Sequence, residues 1–237
     1  ENFGKAAPLS LTLGSRLEEL NVSSQSLNFY SDALQMSSWS TKLFGGDDNN
    51  HNKLNNNGGE WTKTTETSED LCLILRLMVR IGLCHSHLGD QHNSIRVFED
   101  AYKILETQPN IAVACADLVM PVIATLSTLK LERELQDQTP TEDLTALLQI
   151  FVEEARKQES SVHICRALSM SATYSVQQGR FERGIAFKHE LDAIYDVEKH
   201  SGEMVEVYGQ NYAAECMWES VLWYLVIGKK EEAERQI

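Results

Sequence analysis

Residues 80–105 read RIGLCHSHLGDQHNSIRVFEDAYKIL. Gly89 stands where a helix should stop, because glycine enters left-handed backbone conformations without steric cost. Beyond it Ile95, Phe98, Ala101, Tyr102 and Leu105 recur at spacings of three and four, which is one apolar face of a helix. Small residues flank the bend, Gly82 before it and Ser94 after it, and Phe98 and Ala101 follow. Two helices can approach closely only where the crossing side chains are tiny, and a neighbouring ring then fills the remaining space. The stretch therefore predicts two antiparallel helices joined by a tight turn.

The same offsets recur outward from this stretch. Around Gly179 the small residues are Ala172 and Gly184, with Phe181 and Phe187 as the rings. Around Gly228 stand Tyr224 and Ala233, and near the start Leu13-Gly14, Ser26, Tyr30 and Ala33 keep the frame with Asn21 at the turn. Ser68-Glu69-Asp70 and Thr139-Pro140-Thr141-Glu142-Asp143 are helix-start signals, with capping hydroxyls followed by acids. Pro109-Asn110 and Ser201-Gly202 are expected breaks, and no β alternation appears.

Small residues at helix crossings, with aromatics beside them, resemble the tetratricopeptide repeat. The resemblance implies an all-α fold, a right-handed stack of antiparallel helix pairs in which the first helix of each pair lines a concave groove. The unit here is longer, about 45 to 50 residues against about 34 in the family, as longer helices would produce. The expected organisation is an N-terminal helix pair over 1–44 as a degenerate repeat, an Asn/Gly-rich mobile loop over 45–67, and helical repeats over 68–237 with the last truncated. Residues 109–158 form a helix pair without the motif.

Bulk properties narrow the functional classes. The net charge is −14, with 35 acidic and 21 basic residues, which repels phosphate backbones and disfavours nucleic acid. Residues 111–131 are long and apolar enough to suggest a membrane span, but Asp117 and Pro121 fit a buried helix better. Five cysteines, an odd number at wide spacing in apolar stretches, predict reduced, buried thiols in a cytoplasmic protein. The chain begins with Glu1 and shows no secretory signal, so it is expected to be a trimmed part of a longer protein.

No catalytic constellation emerges. Cys84, His85 and His87 with His92 nearby suggest zinc, yet helix neighbours point about 100° apart and cannot converge as one ligand set. Asp47-Asp48 lacks the spacing of a calcium loop, and no phosphate loop, dinucleotide fingerprint or nucleophile elbow occurs. No metal, cofactor or catalytic residue is expected. The aromatics Trp218, Trp223 and Tyr224 are expected to pack in the core.

The expected function is then that of a non-catalytic scaffold that holds a peptide or partner protein in the groove or along an edge. A rival reading is the sensor or regulatory arm of a larger signalling ATPase or cyclase. The motif frame puts Arg76, Val79, Arg80, Leu83 and His87 in the groove of the clearest repeat. In the next repeat it puts Arg166, Ser169, Met170, Thr173 and Gln177 there, and in the last Glu215, Trp218, Glu219 and Leu222. Arg76, Arg80, His87, Arg166 and Gln177 are the chief partner-binding candidates. The family's carboxylate clamp uses Lys and Asn where Val79 and Leu83 stand, which disfavours chaperone tails as partners. Arg76 and Arg80 need polar partners, either a ligand's acids or acids of the next helix.

Overall fold

The computed structural model describes residues 25–28, 30–31, 68–137 and 142–236. These residues are helical apart from short turns and include no strand, so the fold is all-α as expected. From residue 68 the helices run α1 (Ser68–His87), α2 (Gln91–Thr107), α3 (Pro109–Ala114), α4 (Ala116–Asp137) and α5 (Glu142–Lys157). They continue as α6 (Ser161–Gln177), α7 (Phe181–Ile194), α8 (Val197–Tyr208), α9 (Tyr212–Val226) and α10 (Lys230–Arg235). Of the expected N-terminal pair, Ser26 and Tyr30 are helical and fully buried. Leu13, Gly14, Asn21, Ala33 and the 45–67 loop lie outside the described residues.

The chain divides into two compact units, Glu1–Val122 and Ile123–Ile237, with the boundary inside α4 next to Pro121. In the first unit α1 packs along α2, and α3 packs against both. In the second α6 is central, flanked by α5, α7, α8 and α9, while α9 also meets α7 and α10.

Three bends share one construction. Gly89, Gly179 and Gly228 have φ of +77°, +72° and +79°. In each, the glycine N–H donates to the carbonyl three residues back, and the next N–H donates to the carbonyl five back. The pairs are Gly89 to Ser86 with Asp90 to His85, Gly179 to Val176 with Arg180 to Ser175, and Gly228 to Leu225 with Lys229 to Tyr224. These bonds satisfy carbonyls that a helix end would otherwise leave open. A fourth bend, between α5 and α6, puts Glu159 at φ +55°, with its N–H on the Arg156 carbonyl at 3.1 Å. Here a side chain occupies the position that glycine holds elsewhere.

The small residues lie at crossings, as expected. A Cβ added to Gly82 would stand 2.5 Å from Cε2 of Phe98, so the ring occupies the place of the missing side chain. A Cβ on Gly184 would meet Val176 Cγ2 at 2.5 Å and the Ala172 carbonyl oxygen at 2.9 Å. In α10, Ala233 is buried with Tyr224 and Ile185. Burying such apolar faces stabilises the pairs by roughly 25 cal/mol per Å² removed from water.

Several local expectations are corrected. Ser201-Gly202 does not break the chain but lies inside α8. The break falls at Tyr195–Asp196, because the Asp196 carboxylate accepts from the Glu198 and Lys199 amides while the Asp196 N–H donates to His200 Nδ1 at 2.8 Å. This reciprocal cap fixes the start of α8. Its end is at Gly209, φ +77°. The apolar run from Ile111 is interrupted at Cys115, and no described helix is long and apolar enough to cross a membrane.

The cysteines are not all free. Cys72 of α1 and Cys115 form a disulfide, with Cα atoms 5.9 Å apart. Their sequence separation of 43 residues conceals the pairing, which packing of α3 on α1 brings about. Cys84, Cys165 and Cys216 are free and buried.

Candidate functional site

The groove candidates fall in both units. In the first, Arg76 pairs with Asp117 at 2.8 Å, both half exposed, so this arginine meets an acid at the start of α4. Arg80 and His87 are exposed, and Val79 and Leu83 are half-buried along the same helix. His85 faces Asp90, Nδ1 to Oδ2 at 3.0 Å, which ties the end of α1 to the N-cap of α2 and leaves no convergent metal set. Among the described residues no group of three potential ligands could hold a metal ion.

In the second unit a cleft of about 180 Å³ opens between the later part of α4, α6 and α9. Arg166, Ser169, Met170 and Thr173 line it from α6, one helical stripe as the sequence frame requires, and Glu215 and Glu219 line it from α9. Gln177 is exposed at the end of α6 and does not line the cleft, nor do Trp218 and Leu222. The sequence frame missed Thr128, Leu131, Glu132 and Leu135 of α4 and Tyr212 of α9. The α4 residues recur at three and four, so their shared face was a signal available without any repeat motif.

Arg166 forms the floor. It is 4% exposed. Its Nη2 donates to Thr128 Oγ1 at 2.8 Å, and its guanidinium carbon lies 3.3 Å from the centroid of the Tyr212 ring. The Tyr208 ring stands 5.9 Å away. Nε is buried without a hydrogen-bond partner, and among the described residues no carboxylate pairs with this side chain. Burial pulls its pKa down to about 10, so the group remains a cation at neutral pH. A desolvated guanidinium over an aromatic face gains about 2 kcal/mol. That offsets only part of what burying an unpaired charge costs, several kcal/mol.

The surroundings hold the arginine in place. His163 Nδ1 and Tyr208 Oη are 2.6 Å apart, and burial pushes the tyrosine pKa up and the histidine pKa down. Thr173 Oγ1 donates to Glu219 at 3.4 Å, while burial raises the pKa of that carboxyl, with Glu215 adding to the rise. Gln210 donates to Glu215. Burial drives the Cys216 thiol up to about 12, so it stays protonated and is no nucleophile at neutral pH. Opposite charges therefore line one cleft without pairing with each other.

Two other features bear on function. Lys188 is fully buried, but its ammonium is held by Asp192 Oδ2 at 2.6 Å and by Gln236, which makes it a brace between α7 and the end of the chain. On α9, Trp223 and Tyr224 are in the core as expected, whereas Trp218 is 74% exposed. With Leu222, Leu225 and Val226 it forms an exposed apolar stripe, because residues four and seven apart share a helical face.

No protein-family model, curated protein or solved structure matches this chain.

Proposed function

We propose that this chain is a non-catalytic protein-interaction module of tetratricopeptide-like build, which takes a peptide or partner segment into the cleft over α4, α6 and α9. Two features support a stacked arrangement in the second unit. Helix α9 packs on both members of the α6–α7 pair, as the first helix of a following pair would, and the crossings carry Gly184 and Ala233. The observation that carries the functional reading is Arg166: a buried cation with an unmet Nε donor, opening on a cleft wide enough for a side chain. A partner's carboxylate or amide oxygen in the cleft would pair with the guanidinium where it lines the opening, and Glu215 and Glu219 would take a basic group beside it.

A displayed random-peptide library selected on the whole chain tests this. The selected peptides should bind at least about tenfold more weakly to Arg166→Gln and to Tyr212→Ala. Peptides that bind both variants undiminished, with helix content unchanged, would remove the cleft from the function. The cytoplasmic setting expected from five thiols has three free cysteines in its favour and the Cys72–Cys115 bridge against it.

A further inference from the structure

A different face of α6 opens on a second cleft, of about 200 Å³, walled by α5 and α7. Leu148 and Val152 of α5, the Tyr174 ring of α6 and Phe187 of α7 give it an apolar wall, beside the hydroxyl and amide side chains of Thr145, Gln149, Ser171, Ser175 and Gln178. Three arginines line it as well. Arg156 is paired with Glu190. Arg180 and Arg183 are exposed, and among the described residues neither pairs with a carboxylate. Arg183 lies over the Phe187 ring, 5.6 Å from its centroid, which restrains its fork near the apolar wall. The acid on the lining, Glu153, accepts from Gln149 at 3.0 Å. Two unpaired guanidinium groups at one opening are unusual in a chain of net charge −14. Arg180 is also the N-cap residue of α7, so the positive end of that helix adds field of the same sign.

We propose that this cleft binds a small organic anion, a carboxylate carried on an apolar body about the size of an aromatic ring. The volume fits: a cavity of about 150 Å³ holds benzene, so this one has room for a ring and a short tail. The chemistry fits too, because guanidinium forks match a carboxylate in bidentate geometry while Leu148, Val152 and Phe187 shelter the ring from water. The site is separate from the Arg166 cleft and does not depend on the function proposed for it.

Backbone-amide NMR of the whole chain, titrated with phenylpropionate and separately with its neutral amide, tests the assignment. Saturable shifts are expected around Tyr174, Gln178 and Phe187, with the neutral amide binding at least about tenfold more weakly. The double variant Arg180→Gln/Arg183→Gln should lose about tenfold in affinity for the acid and none for the amide. Phe187→Ala should weaken both ligands. Both arginines are solvent-exposed, so the double variant keeps the fold, and an unchanged circular dichroism spectrum verifies that. Acid and amide binding alike, acid binding undiminished in the double variant, shifts that map to the Arg166 cleft, or no saturable shift would each overturn the proposal. An acetylated dipeptide ending in phenylalanine presents the same carboxylate and ring. Tighter binding of the dipeptide assigns the site to a polypeptide end, and tighter binding of the free acid assigns it to a metabolite-sized ligand.

Discussion

The Ser94 hydroxyl donates to the Gly82 carbonyl at 2.8 Å across a fully buried helix crossing. The bond spans twelve residues and joins the two small positions that flank the Gly89 bend. A larger residue at either end would separate the helices, so the bond and the close approach depend on each other.

Gly82→Ala should destabilise the first unit by about 1–3 kcal/mol, since its Cβ would meet the Phe98 ring at 2.5 Å and the gain in helix propensity is smaller. Adding Phe98→Leu should recover part of the loss. Gly184→Ala should cost at least as much, because a backbone oxygen of Ala172 stands in the way and cannot rotate aside. Denaturant unfolding of the single and double variants measures both. An unchanged midpoint for Gly82→Ala would show that the crossing is looser than described.

At the fourth bend the sign reverses. Glu159→Gly should stabilise by roughly 1 kcal/mol, because relief of a left-handed side-chain residue at φ +55° outweighs the unfolded-state entropy that glycine adds. Gly179→Ala should destabilise by about 1–2 kcal/mol. Melting temperatures that move in the same direction for the two variants would contradict this.

His163 confers a pH dependence. Burial depresses its folded-state pKa, so the unfolded chain takes up this proton first. The stability it supports is present above the unfolded value, about 6.5, and is lost as pH falls through and below it. Glu203 acts in the opposite sense, and Tyr208 is the partner that the neutral ring keeps. Unfolding midpoints should fall more between pH 7 and 5 in the native chain than in His163→Asn, with roughly parallel curves as the contrary result.

Reduction of the Cys72–Cys115 bridge should destabilise the first unit by about 4 kcal/mol on the loop-entropy model, given the 43-residue separation. Thiol titration of the denatured, unreduced protein should find three reactive cysteines. Five would mean that the bridge is absent.

Arg166→Met should leave thermal stability unchanged or raise it while abolishing peptide capture. Methionine removes an unpaired buried charge, and Thr128 sheds a partner without being orphaned, since its hydroxyl also donates to the Ala124 carbonyl at 2.9 Å. A large drop in melting temperature would mark Arg166 as structural.

Turns built on glycine were legible in the sequence because one residue type carries the conformational signal. The bend at Glu159 was not, since tertiary packing of α5 and α6 holds a side chain where local preference would not put it. Ser201-Gly202 looked like punctuation, yet the cap formed by Asp196 and His200 overrides it, and the Ser201 hydroxyl accepts instead from Asn211 at 2.9 Å. In the cleft, Arg166, Ser169, Met170 and Thr173 followed from the motif frame that the tetratricopeptide resemblance implied. Tyr212 and Thr128 did not, because the ring over the guanidinium and the hydroxyl beneath it come from segments brought there only by folding. The disulfide was hidden for the same reason, as two partners far apart in the chain leave no mark in composition.

No backbone bond that closes the four bends reaches further than five residues along the chain. Each helix pair can therefore begin to form from its own neighbourhood, without waiting for a distant strand or segment to diffuse into place. Contacts this near in sequence cost little loop-closure entropy, so each pair can form early and present its apolar face to the next.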